Sequence, residues 1–286
     1  MKFARLGEQG HEVPVVVAEN GIFDLRPLTS DVSGEFLASD PVARTAAALR
    51  DGLLSELPDA AARRIGAPIA RPGAVVCIGM NYAAHARESG SEPPATTVVF
   101  LKTPNTVVGP NDVVTIPRGS ERTDWEVELG VVIGTRLSYL TSPDEALSHV
   151  AGFVVANDLS ERELQLERSG GQWSKGKCAP GFTPTGPWLV TPDEVDSRDL
   201  RLRSWVGGEP RQDSSTADMI FPVAEILFQL SQVMALDPGD LVLTGTPEGV
   251  ALSGRFPYLS AGDVVELEIE GLGRQRQHLV AWGADA

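Results

Sequence analysis

Apolar stretches in this chain are short, and glycine and proline interrupt them from one end to the other: its 286 residues include 29 Gly and 21 Pro. Proline lacks the backbone donor that a helix interior or a central strand uses, and glycine favours turns, so long helices are disfavoured. What lies between the breakers reads as strands: Val98 to Leu101, Val113 to Ile116, Glu126 to Ile133, Gly152 to Asn157, Trp188 to Val190, Leu200 to Val206, Leu241 to Thr244 and Val264 to Glu270. Helices are fewer. Pro143 to Ser148 has an acidic first turn, and Phe221 to Met234 carries apolar residues at helical spacing, as for a helix laid on a sheet. The expected fold class is mainly β (α+β) and not alternating βαβ units.

The N-terminal part reads differently. Short alternating strands, Val13 to Val17 and Ile22 to Leu25, precede an Ala/Leu-rich helical stretch from Pro41 to Leu57. Ala67 to Pro72, with its two prolines, is the expected linker, because proline biases its predecessor toward extended geometry. Residues 1–68 are therefore expected to form a small α+β domain, and residues 69–286 a catalytic body that begins at VVCIGMNY.

Acidic side chains number 39 against 24 basic ones, a formal charge of -15. Nucleic acid and anionic membrane surfaces would be repelled, so neither is an expected partner. A local cation can still offset the repulsion of a small anionic ligand. No apolar run approaches the roughly 18 residues needed to cross a bilayer. Cys77 and Cys178 cannot build a disulfide framework, and the start MKFARLGEQG lacks the apolar core of a signal peptide, so the expected compartment is a reducing cytoplasm.

Chemistry concentrates first in Asp124-Trp-Glu-Val-Glu-Leu-Gly. On a strand Glu126 and Glu128 share one face while Trp125, Val127 and Leu129 turn to the other, which suits a core. Alternating glutamates on a solvated strand are ordinary by themselves. A third acid changes the reading, because Asp158 ends the apolar strand GFVVAN ahead of the helix-prone SERELQLER. If the strand ends adjoin, three carboxylates form an oxygen-rich site for Mg²⁺, with Mn²⁺ or Ca²⁺ as substitutes. Zinc spacing is missing, since His11, His85, His149 and His278 are scattered.

Three further clusters could bind or catalyse. His85 and Glu88 are spaced to meet on one face of a short helix next to Gly90, where a carboxylate could orient imidazole toward water in a lid; the same pair is common on plain surfaces. Lys177, in a turn-rich stretch, and Thr246, in a Thr-Gly-Thr-Pro turn, could contact an anion or simply be solvated.

Taken together these segments resemble the fumarylacetoacetate hydrolase family. The likeness rests on Asn81-Tyr with His85 and Glu88, the Glu126-Val-Glu128 strand, Asn157-Asp158 with Arg162 and Gln165, Gly176-Lys177, Thr185-Gly-Pro, and Pro238-Gly-Asp followed by Thr244-Gly-Thr-Pro-Glu-Gly249, all in the family's order. It spans about residues 70 to 280. The resemblance implies a mixed β-roll body, a homodimer, metal ligands at Glu126, Glu128 and Asp158, and a lid dyad of His85 and Glu88 that activates water. It also implies that Lys177 is catalytic and that Asn81, Tyr82, Arg162, Gln165 and Thr246 surround a small 2-oxo or 2,4-dioxo acid. One departure stands out: many members have Lys-Ser-x-Asp-x-Phe where this chain has Lys177-Cys-Ala-Pro-Gly-Phe182, so a serine and an acid are missing there.

RGSERTDWEVELG, SERELQLERSGGQW and TGPWLVT look most like the branch that handles 2,4-dioxo sugar acids. The implied reaction is hydrolysis of a carbon–carbon bond in a 2,4-dioxo acid, a diketo-deoxy sugar acid or an acylpyruvate. Other branches with similar motifs decarboxylate oxaloacetate or isomerise unsaturated 2-oxo dicarboxylates, and a noncatalytic metal-stabilised binding protein is a third reading, one that would need a closed carboxylate shell.

Overall fold

The computed structural model describes residues 1–88, 90 and 92–284; Ser89, within the lid segment expected from the sequence, lies outside them. The chain folds around a nine-stranded mixed sheet. In spatial order its strands are Gly21–Asp24, Val13–Ala18, Lys2–Leu6, Leu189–Val190, Val150–Asn157, Val127–Ile133, Leu241–Leu243, Val75–Gly79 and Val98–Lys102. Leu241–Leu243 runs parallel to Val75–Gly79, and the other neighbours pair antiparallel. A five-stranded sheet, in the order Glu209–Ser215, Arg201–Val206, Val264–Ile269, Gly273–Val280 and Val114–Thr115, lies against one face.

The central strands are buried on both faces, which is why Val127–Ile133 reads as an unbroken buried run. Val127, Leu129, Val131 and Phe153 enter a core shared with Leu202, Val265, Leu267 and Ile269 of the five-stranded sheet. Val132 and Val154 enter a second core, with Phe3, Val16, Leu25 and Phe36 from the N-terminal residues. The N-terminal strands join the same sheet, since Lys2 pairs with Val190 and Phe3 with Leu189. The connection over residues 67–72 is largely buried, with Ile69 in the core.

The nine-stranded sheet rolls. Four strand steps of about 4.8 Å would put Val98–Lys102 about 19 Å from Val150–Asn157 on a flat sheet, beyond the reach of a lysine side chain. Yet the Lys102 ammonium donates to the Phe182 carbonyl at 2.7 Å and is ion-paired with Asp158. This curl turns the strand ends around the three acids into the wall of a cavity.

Helices end sooner than expected. The helix read from Pro41 to Leu57 stops at Arg50, because Gly52 adopts φ +68° and the N–H groups of Gly52 and Leu53 return to Leu49 and Ala48, a left-handed cap. Phe221 to Met234 contracts to Val223–Ser231, which buries Ile226, Leu227 and Leu230. Pro143–His149 is a 3₁₀ segment, and the helix-prone SERELQLER forms a five-residue π-turn, Glu163–Glu167. Among the described residues no helix is long and apolar enough to cross a membrane.

Candidate metal centre

Antiparallel pairing brings the three acids together. Val127 pairs with Asn157 and Glu128 with Ala156, so the start of one strand adjoins the end of the other. Glu126, just before the first strand, and Asp158, just after the second, are joined by the Asp158 N–H donating to the Glu126 carbonyl at 3.0 Å. The Glu126 N–H donates in turn to Asn157 Oδ1 at 3.1 Å. Oxygens of Glu126, Glu128 and Asp158 all lie within 4.8 Å of one another, and all three residues are buried.

Three cations surround them unevenly. Lys177 Nζ donates to Glu126 Oε2 at 2.7 Å and to Asp158 Oδ2 at 2.8 Å. Arg162 lies 2.7 Å from both Asp124 Oδ2 and Glu126 Oε1, and Lys102 pairs with the other oxygen of Asp158. Glu128 has no ion pair among the described residues; it accepts the Gly245 N–H at 2.8 Å. Burial opposes ionisation of Glu126, but Lys177 and Arg162 outweigh it and hold that carboxyl at about 2. At Glu128 burial and the neighbouring Asp158 and Glu126 charges push the same way, well above the usual carboxylate range. Burial likewise opposes the Lys177 ammonium, yet Asp158 and Glu126 raise it to about 12.

The donor set fits a hard divalent cation. Counting Asp124, the buried group holds four carboxylates against the three cations Lys102, Arg162 and Lys177, and Glu128 is the acid left over. Three converging carboxylates with one short of positive charge are what a Mg²⁺- or Mn²⁺-sized ion satisfies.

Sequence reasoning missed two supports. Asp124 is fully buried, accepts the Ala251 N–H at 2.8 Å and the Leu252 N–H at 3.0 Å, and orients Arg162 through a 2.8 Å bond from Nε. Lys102 closes a strand whose pattern, VVFLK, looks like an edge ending in solvent. A buried lysine needs a carboxylate, but which one is decided by the curl of the sheet and not by local pattern. Asp124 was within reach of the sequence, standing two residues before Glu126.

A cavity of about 440 Å³ opens on this centre, and Glu126, Glu128, Arg162, Gln165, Lys177, Thr246 and His85 line it. His85 Nδ1 is 3.6 Å from Glu88 Oε2, a distance for ion pairing and not for a hydrogen bond. Glu88 itself accepts the Gly249 N–H at 3.1 Å and lies 3.3 Å from Arg255, which ties the short helix Ala83–Glu88 to the Thr244–Gly249 turn. The Thr246 hydroxyl donates to the Val127 carbonyl at 3.0 Å and accepts from Gln212 at 2.8 Å, and Arg162 also bonds Gln165 at 2.9 Å. Asn81 and Tyr82 are not brought to the cavity lining. Asn81 clamps the main chain of Phe221 and Thr244, and Tyr82 is fully buried in the core.

Comparison with known proteins gives the chain's family and fold. The sequence pattern of the family described as fumarylacetoacetate (FAA) hydrolase C-terminal matches residues 74–280. The chain is 46% identical over 287 residues to 2,4-didehydro-3-deoxy-L-rhamnonate hydrolase of Sphingomonas sp. (strain SKA58), covering 99% of this chain and 97% of that protein. Its fold is similar to 5-carboxymethyl-2-hydroxymuconate delta-isomerase from Mycobacterium smegmatis (TM-score 0.77, 31% identity, 99% and 100% of the two chains). It is similar also to maleylpyruvate hydrolase from Sphingobium sp. SYK-6 in complex with manganese(II) ion and pyruvate (TM-score 0.79, 25% identity, 98% and 99%).

Proposed function

The chain belongs to the fumarylacetoacetate hydrolase family, and on that premise we propose that it is a divalent-metal-dependent hydrolase cleaving a carbon–carbon bond in a 2,4-dioxo acid, either a diketo-deoxy sugar acid or an acylpyruvate. The observation that carries the proposal is the Glu128 carboxyl, without an ion pair among the described residues, within a three-carboxylate cluster facing a cavity that also holds His85 and Lys177. A noncatalytic binding protein would close its carboxylate shell, whereas Glu126 and Glu128 open onto that cavity.

A divalent cation on Glu126, Glu128 and Asp158, Mg²⁺ or Mn²⁺, would supply the Lewis acidity that stabilises a departing enolate. His85, held beside Glu88, takes a proton from water as the oxygen adds to the 4-oxo carbon. The C3–C4 bond then breaks with its electron pair going to C3. Return of the proton to C3 gives pyruvate, and C4 leaves as a carboxylic acid. Lys177, whose ammonium Asp158 and Glu126 favour against burial, offsets oxyanion charge. Arg162, engaged by Asp124 and Glu126, holds Glu126 in place, while Gln165 and Thr246 present the polar edge of the cavity. The same proposal has a homodimer working in a reducing cytoplasm, in keeping with the free Cys77 and Cys178.

The test is a screen of 2-oxo and 2,4-dioxo acids on metal-stripped protein, with and without added Mg²⁺ or Mn²⁺, following pyruvate and carbon dioxide together. Metal-dependent pyruvate release from a 2,4-dioxo acid is expected. Carbon dioxide from oxaloacetate without dioxo-acid cleavage would overturn hydrolysis in favour of decarboxylation.

A further inference from the structure

Away from the carboxylates the cavity is apolar. Ile78, Met80, Phe100, Leu166, Trp173 and Leu252 line it. Trp173 is seated firmly: it stacks edge-on against Phe100 with centroids 5.8 Å apart, and a Cβ on Gly79 would stand 2.5 Å from its ring. Phe100 in turn lies beneath the Lys177 ammonium at 5.1 Å. This wall is therefore continuous with the reactive end of the site.

The charges that line the cavity are already spent. Among the described residues its Lys and Arg side chains are Arg162 and Lys177, and each is held within 2.8 Å of buried carboxylates. His85 stands against Glu88. The remaining charged group in the lining, Glu92, is acidic and exposed. A 2-oxo acid anchored by its carboxylate and oxo oxygens through a divalent cation at the three-acid end would find, beside the uncharged Gln165 and Thr246, the apolar wall and Glu92 for its far end, and no unengaged Lys or Arg among the described lining residues. A second carboxylate there would lose hydration without gaining a cation and would meet a like charge.

We propose that this chain selects 2-oxo and 2,4-dioxo acids whose far end carries no second carboxylate, and that Phe100, Leu166 and Trp173, together with Glu92, enforce the choice. The inference rests on the hydrolase reading above and deepens it, because acids with more than one carboxylate, such as those in the names of the isomerase and maleylpyruvate relatives, would be poor substrates here.

The experiment compares ligands that differ only at the far end. Titration calorimetry on the Mg²⁺-loaded protein measures 2-oxohexanoate against 2-oxoadipate, which has a carboxylate in place of the terminal methyl. Turnover is then measured for the matched pair 2,4-dioxohexanoate and 2,4-dioxohexanedioate. The monocarboxylate should bind about 100-fold more tightly and show a similarly higher kcat/KM, the scale of leaving a charged group unpaired. Leu166, 45% exposed at the rim, accepts a long side chain, so Leu166→Arg should narrow the binding ratio about tenfold or more. Glu92→Gln should narrow it by a smaller factor and serves if the arginine variant fails to fold. Equal or tighter binding of 2-oxoadipate, or no binding of either ligand, overturns the inference. Selective binding of 2-oxohexanoate with cleavage of neither dioxo acid upholds the selectivity and overturns the hydrolase reading instead.

Discussion

Lys177 holds its ammonium 2.7 Å from Glu126 Oε2, in a pair with almost no solvent exposure on either side. The same nitrogen reaches Asp158 Oδ2, so one lysine sits on oxygens from two of the three acids that a divalent cation would use. A divalent cation bound there would therefore compete with the lysine for charge, and the ammonium would have to withdraw or share.

That competition gives Lys177→Met a divided outcome. Removing a like charge beside the site should leave Mg²⁺ affinity unchanged or raise it, by up to about tenfold. Turnover should fall by about 10²- to 10³-fold if Lys177 is the group that offsets oxyanion charge. Calorimetric metal titration and steady-state kinetics on the same preparation separate the two. A large loss of metal affinity would show that Lys177 supports the ligands and does not compete with the ion.

Glu128 is the complementary case. Its carboxyl is raised well above the usual range because burial and the charges of Asp158 and Glu126 disfavour its ionised form in the metal-free protein. Glu128→Gln should lower Mg²⁺ affinity more than the ~10–100-fold typical of losing an outer hydrogen-bond partner. The chelated variant should nevertheless melt at or above the temperature of the chelated parent. Thermal unfolding with chelator and with excess Mg²⁺ reads both effects, and a destabilised apo variant would contradict the assignment.

Much of this centre was legible in the sequence, because the two-residue spacing of a strand sets Glu126 and Glu128 together while Val127 and Leu129 enter the core, even though the strand itself begins at Val127. Asp158 was legible as the end of an apolar strand. The strands Lys2–Leu6, Glu209–Ser215 and Gly273–Val280 were not. In the last of these, Gln275 and Gln277 face inward with Leu279, so the buried face carries amides where a pattern search looks for apolar residues. Those amides are used: Gln277 accepts from Asn157 Nδ2 at 3.0 Å, and Asn157 carries the Glu126 N–H. Lys102 escaped for another reason, since only the three-dimensional roll brings it to Asp158.

Gly176 fixes where Lys177 begins. A Cβ there would stand 2.3 Å from the Glu161 carbonyl oxygen and 2.5 Å from the Gln165 nitrogen, main-chain atoms that cannot turn aside. Gly176→Ala should cost about 1–3 kcal/mol by overpacking and should displace Lys177, lowering kcat as well as Tm. Gly170→Ala is the control: φ is +64° there but nothing lies within 4 Å, so about 1–2 kcal/mol of backbone strain should appear without a comparable loss of kcat. Parallel losses of activity in both variants would remove the special role of Gly176.

His85 lines the cavity with Glu126 and Glu128, and its partner Glu88 is anchored to the Gly249 N–H, so the imidazole is held at the site. If it takes the proton from water, His85→Ala should slow dioxo-acid hydrolysis by roughly 10²- to 10⁴-fold, the range for a positioned general base. Metal affinity should stay nearly constant, since three carboxylates hold the ion. Any slow release of carbon dioxide from oxaloacetate should suffer less, because that bond breaks without an attacking hydroxide. Both rates are measured at saturating Mg²⁺ on one preparation, with metal binding titrated separately. Equal losses in the two reactions would mean that His85 positions the substrate and does not activate water, and unaltered hydrolysis would take it out of the reaction altogether.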